Sequence, residues 1–178
     1  MQLSVDRIAR VAVMTSVISV SAMIALPLPF TPVPLSLANL TIMLSGVLCG
    51  VIDGTLAVIM YILLGMVGLP IFAGFNSGIG VILGPTGGYI MGYPILAFLV
   101  GYLSRVFSRR LKRFTAHLIS MAIGLIVLYL FGCSWYILTT GVSVTAAISV
   151  TIIPFLPGDL LKAVTASTLA LRYYYIKR

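Results

Sequence analysis

Apolar runs alternate along the chain with short stretches rich in proline, glycine or charge. Runs at about 8–26, 35–52, 55–67, 87–107, 114–136 and 158–174 are predicted as helices. The fourth would extend about 32 Å at the helical rise, enough to cross the hydrocarbon core of a bilayer. The breaks differ in kind. Residues 27–34 carry four prolines, which remove amide donors and fix φ, so a stiff extended loop is predicted there. Asp53-Gly54 is the strongest break between the second and third runs and is predicted as their turn. Residues 68–86 are glycine-rich yet too apolar for an ordinary exposed loop. Irregular backbone at membrane depth needs protein cover or a cavity to line, so a partly buried lid is predicted. Residues 137–157 hold a polar turn, a short apolar piece (Val144 to Ile153) and the Pro154-Phe155-Leu156-Pro157 break.

Composition fixes the class. Of 178 residues, 61% are hydrophobic and 8% charged. A soluble domain carries about 25% charged residues. Too little polar surface is available for a water-soluble globule, which predicts an all-α integral membrane protein, a single six-helix bundle over residues 1–178. The first run lacks a clear small-residue cleavage site and is read as a retained helix. It carries Ala9, Ala12 and Ser16, small residues that suit packing within the bundle or docking of another membrane subunit.

The net charge of +8 sits at the ends of the apolar runs. Arg7 and Arg10, the cations of 104–113, and Arg172, Lys177 and Arg178 all flank one side of a six-span arrangement. This placement fits membrane topology better than nucleic-acid binding. It sets both termini in the cytoplasm and requires an even number of spans. The three outer connections then carry no Lys or Arg, and Lys162 is the one cation on the outer half.

Lys162 lies three residues after Asp159, so a helix puts both on one face. An ionisable pair within apolar sequence is a functional-site hypothesis. The helix predicted to begin near Gly158 would also aim free amides outward. Two readings stand. Asp159 caps its own helix and pairs with Lys162, or the two face a ligand cavity, Lys162 toward a carboxylate and Asp159 toward N–H groups. Asn39 is a polar residue near the start of the second run. Gly84-Pro85-Thr86-Gly87-Gly88-Tyr89 superficially resembles a phosphate loop but lacks its Gly-Lys-Ser/Thr ending. Its glycines permit close backbone approach, and Tyr89 supplies an aromatic wall with a polar tip.

Catalysis finds no constellation. Ser77 and the single histidine, His117, are predicted at opposite faces, which prevents a dyad. Three carboxylates supply no acid–base pair. Cys49 and Cys133 are also set near opposite faces, and with no Cys/His cluster neither a disulfide nor a metal site is expected.

The segments Gly84-Pro85-Thr86-Gly87-Gly88-Tyr89-Ile90-Met91-Gly92-Tyr93 and Pro157-Gly158-Asp159-Leu160-Leu161-Lys162-Ala163 resemble the BioY family, the biotin-specific S components of energy-coupling factor (ECF) transporters. The likeness covers nearly the whole chain. It implies a pocket for biotin on the extracellular side, closed by the loops after spans 1, 3 and 5. It implies partners in the membrane, a transmembrane coupling subunit and two cytoplasmic ATPases, and toppling of the S component to deliver its ligand inward. No cofactor is implied. The family's polar contacts map onto Asn76, Asp159 and Lys162, with Tyr89 and the Gly87-Gly88 backbone nearby. Its small-residue coupling pattern maps approximately onto Ala9 and Ala12-x-x-x-Ser16. Some members carry an arginine beyond the Gly-Gly-aromatic segment. Ile90 stands here, which raises the weight on Lys162 as holder of the ligand carboxylate.

The polarity of biotin (a ureido ring, an apolar thioether ring and one carboxylate) suits a site of one Asp, one Lys, one Asn and many apolar groups. A self-sufficient secondary transporter is the alternative, though no clear pair of broken helices marks two halves. A structural membrane subunit without ligand is the third reading.

Overall fold

The structure, a computed structural model, describes residues 4–29 and 31–176. Met1 to Leu3, Phe30 of the proline-rich loop and the terminal cations Lys177 and Arg178 lie outside the described residues. The order is α1 (Val5–Met23), β1 (Ala25–Leu28), β2 (Thr31–Ser36), α2 (Ala38–Met66), a 3-10 turn (Ala73–Phe75), α3 (Ile79–Leu83), α4 (Gly87–Phe107), α5 (Arg113–Thr140), α6 (Val144–Thr151) and α7 (Leu156–Ile176). The fold is mostly helical, as expected, but not all-α.

The proline-rich segment is a two-stranded antiparallel hairpin. Ala25 faces Ser36, Leu26 faces Leu35 and Leu28 faces Thr31. None of these paired positions is a proline, which has no N–H to give to a ladder. The first helix therefore ends at Met23, short of the predicted Leu26.

The second and third runs also break elsewhere than predicted. Asp53-Gly54 is helical and the chain reverses at Gly50, whose φ of 82° and ψ of −179° a side chain would resist. In a straight helix Ser45 and Gly54 would stand about 13 Å apart. Here the Ser45 hydroxyl lies 3.4 Å from the Gly54 carbonyl oxygen. A Cβ on Gly54 would fall 2.4 Å from the Ser45 carbonyl oxygen. The two arms of α2, 38–49 and 51–66, are thus antiparallel.

Helix α1 lies along both arms. Its Arg7 reaches Asp53 beside the hinge, its Thr15 hydroxyl meets the Ala57 carbonyl at 3.1 Å, and its Ser21 meets Thr41 at 2.6 Å. The first arm presses on α4, where a Cβ at Gly46 would sit 2.5 Å from the Ala97 carbonyl oxygen. Ile42, Met43, Leu96, Val100, Met121 and Leu128 fill the centre of the bundle. Helix α7 closes it with a small-residue face, Ala163, Ala166 and Ala170, spaced three and four apart. The outer surface is apolar. Ile126, Leu130, Leu138 and Leu161 are all more than half exposed, an arrangement suited to lipid. Helices α2, α4 and α5 are long and apolar enough to cross a membrane. The pair α6–α7, bent by 47° across its break, makes up to a fourth.

The glycine-rich 68–86 stretch is partly buried, as predicted. Phe72 is 1% exposed and meets Tyr61 edge-on with ring centroids 5.5 Å apart. The backbone turns through Gly74 and Phe75, both at positive φ.

Candidate ligand cavity between the hairpin, α4 and α7

Five elements bring the polar groups of the site together. Helix α7 supplies Asp159 and Lys162, the first arm of α2 supplies Asn39, α5 supplies Tyr129, and α4 supplies Tyr89 and Tyr93 one helical turn apart. Strand β2 covers them with Val33, Pro34 and Ser36. Asp159 is 1% exposed. Its Oδ1 accepts from Lys162 Nζ at 2.8 Å. Its Oδ2 accepts from the Tyr129 hydroxyl at 2.7 Å and from the Asn39 amide at 3.1 Å. A buried charge needs such partners, since an isolated one is costly.

Asp159 does not cap its own helix. Helix α7 begins at Leu156, and the Asp159 amide already donates to the Phe155 carbonyl at 2.8 Å. The expectation of an outward-aimed N-terminus at Gly158 is corrected accordingly. The carboxylate ties three helices together instead of one.

A space of about 40 Å³ surrounds this cluster, roughly the share of one water molecule. Beside it, sharing Val33, Pro34, Ser36, Tyr89 and Tyr93, lies a cavity of about 330 Å³. That is a volume suited to a small molecule. Tyr61, Phe72, Val81 and Ile90 give it an aromatic and aliphatic lining, and Thr31, Asn76 and Thr86 add polar points. Among the described residues Lys162 is the one cation lining either space. Ile90 lines the larger cavity, so no charge comes from that position.

The expected site residues divide into two groups. Asp159, Lys162 and Tyr89 line the smaller space, and Tyr89 lines the larger one as well. Asn76 lines the larger cavity from the turn of the 68–86 segment, its amide nitrogen donating to the Ala73 carbonyl at 2.8 Å. Tyr89 donates to the Thr151 carbonyl at 3.1 Å, which ties α4 to α6. Gly87 and Gly88 do not line either space. A Cβ on Gly87 would overlap the Ile82 carbonyl oxygen at 1.6 Å, and one on Gly88 would lie 2.2 Å from the Trp135 side chain. The Trp135 indole also donates to the Gly84 carbonyl at 3.0 Å. These glycines seat the start of α4 against α3 and α5 and so place Tyr89. Asn39, Tyr93 and Tyr129 were not expected as site residues. The Tyr89/Tyr93 spacing of four is the one sequence signal that points to any of them.

A second charged cluster stands at the arginine-rich end of the bundle. Asp53 accepts from Arg7 Nε and from Arg10 Nη2, the latter at 3.5 Å. His117 is buried there too, its Nδ1 hydrogen-bonded to the Ser104 hydroxyl at 2.6 Å. Ala9, Ala12 and Ser16 are exposed on α1. Ala12 and Ser16 line an apolar groove between α1 and the second arm of α2.

Comparison with known proteins places this architecture. The family model of the BioY family matches residues 1–177. The chain is 40% identical over 164 residues to the biotin transporter BioY of Thermotoga maritima, covering 92% of each sequence. It is 38% identical over 162 residues to the probable biotin transporter BioY of Pyrococcus horikoshii, covering 91% of this chain and 92% of that one. Its fold is similar, at a TM-score of 0.88 and 29% identity, to the crystal structure of the S-component for biotin from an ECF-type ABC transporter, over 96% of this chain and 92% of the other. With a match to the family model over essentially its full length and relatives of this identity and coverage, the chain belongs to the BioY family.

Proposed function

We propose that the chain is the biotin-binding S component of an ECF-type uptake transporter in a prokaryotic cell membrane. The relatives are named as transporters and the similar structure is a transport component, not an enzyme. The observation that carries the reading is the buried Asp159–Lys162 pair in a small space that shares Tyr89 and Tyr93 with an aromatic-lined cavity.

Its capacity for ligand follows from counting donors and acceptors. A carboxylate offers about four acceptor sites, and Asp159 uses three. One site is left for a ureido N–H. An ammonium has three donors, and Lys162 spends one on Asp159. It can therefore hold Asp159 and a ligand carboxylate together. Tyr61, Phe72 and Tyr93 suit the thioether ring, and Asn76 faces the same space from the loop that would close over it. Gly87 and Gly88 serve by setting the position of Tyr89.

The same reading takes α1, the two arms of α2, α4, α5 and α7 as six crossings, with both termini cytoplasmic. The reversal at Gly50 and the gathering of Arg7, Arg10, Arg105 and Arg113 at one end support it. The exposed face of Ala9, Ala12 and Ser16, with its apolar groove, is where a transmembrane coupling subunit would dock, with two cytoplasmic ATPases driving inward delivery. Small residues allow such close helix contact.

Titrating purified protein with biotin tests the proposal. Binding is expected for the wild type and weakened more than tenfold in Asp159→Asn and in Lys162→Ala. Affinities within twofold of wild type in both would remove these residues from the site.

A further inference from the structure

A cavity larger than the one assigned to biotin lies elsewhere in the bundle. It measures about 560 Å³ and lies at the arginine-rich end, between the α2 hinge, α4 and α5. Arg7, Arg105 and Arg113 line it against a single carboxylate, Asp53. Three arginines against one carboxylate give the lining side chains a formal excess of positive charge. The floor is polar and ordered, with Ser104 and His117 buried and hydrogen-bonded to each other. The second arm of α2 starts at the Gly50 break, and the first amides of a helix favour an anion. None of these groups lines the cavity proposed for biotin.

The surroundings select the kind of anion. Ile52 on the cavity lining is 60% exposed, and Tyr102 and Val106, flanking Arg105 on α4, are 51% and 41% exposed. Apolar surface of this sort beside a cationic cleft suits a molecule with both a phosphate and acyl chains. Basic pockets between helices at the cytoplasmic surface recognise anionic lipid headgroups. We infer that this cavity seats the phosphate of an anionic phospholipid, with its chains along the outer faces of α2 and α4. Such a lipid would brace the α2 hinge against α4 and α5 at the end opposite the biotin cavity.

The test uses the full chain in detergent, stripped of lipid, with native mass spectrometry as readout. Dimyristoyl phosphatidylglycerol is expected to be retained over dimyristoyl phosphatidylcholine by about tenfold, given the strength of each arginine's attraction to an anionic headgroup. Arg105→Gln/Arg113→Gln abolishes the preference. Arg109→Gln/Arg110→Gln, in the same basic loop but off the cavity lining, keeps it. Melting of each variant checks the fold, and Arg105→Gln alone serves if the pair is unstable. Equal retention of the two lipids overturns the inference, as does equal loss in both double variants, which would mean diffuse charge. Displacement of the lipid by an equal concentration of inorganic phosphate also overturns it, pointing to a soluble phosphate compound.

Discussion

Each end of the bundle holds one buried carboxylate shared among several donors, and the two are built differently. Asp159 takes one cation from its own helix and two neutral donors from other helices, and both members of its ion pair are at least nine-tenths buried. Asp53 takes two arginines from a single neighbouring helix, and the Arg10 side chain is 58% exposed. The first cluster is close to neutral, buried, next to a cavity, and has unused hydrogen-bonding capacity. The second is a latch that fixes α1 to the α2 hinge, with surplus positive charge around it. Burial, a spare donor and acceptor, and adjoining space are what favour the first pair over the second as the proposed ligand site.

The contrast predicts unequal responses to mutation. Asp159→Ala leaves Lys162 buried without its counter-charge and two further donors unmet, and should destabilise by about 3–5 kcal/mol in thermal unfolding of the purified protein. Asp159→Asn/Lys162→Met, which removes both charges, should recover most of that loss while still failing to bind biotin. A double variant as unstable as Asp159→Ala would show that the pair is structural above all. Tyr129→Phe removes one hydrogen bond to a charged acceptor and should cost about 1.5–3 kcal/mol.

At the other end the effects shrink. Asp53→Asn, at a partly buried site whose arginines can turn to solvent, should cost about 1–2 kcal/mol, between the buried and exposed limits. Arg10→Ala should cost no more than about 0.5 kcal/mol and respond to added salt, because the pair is open to screening. If Arg10→Ala proved as damaging as Tyr129→Phe, the division into site and latch would fail.

The sequence made some of this visible and hid the rest for physical reasons. Asp159 and Lys162 stood out because charge in apolar sequence is rare and their spacing of three is local. Asn39 is 120 residues from Asp159 along the chain, and no local pattern reports a contact made by packing. The hinge was misplaced by a few residues. Asp53-Gly54 has the composition of a turn, but Asp53 serves Arg7 and Gly54 lets the arms of α2 touch, while the reversal falls on Gly50. The prolines of 27–34 ruled out helix correctly, yet gave no hint that the residues between and beside them would pair as strands. Gly87 and Gly88 were legible as sites of close approach, though what approaches is Ile82 and Trp135.

In the proposed site the Lys162 ammonium, held by Asp159, meets the carboxylate of biotin. Titration calorimetry of biotin and of biotin methyl ester against the wild type and Lys162→Met tests it most directly. The wild type should prefer the acid by about tenfold or more, the worth of a hydrogen bond to a charged group, and Lys162→Met should bind acid and ester alike. An undiminished preference for the acid in Lys162→Met would place the carboxylate away from Lys162.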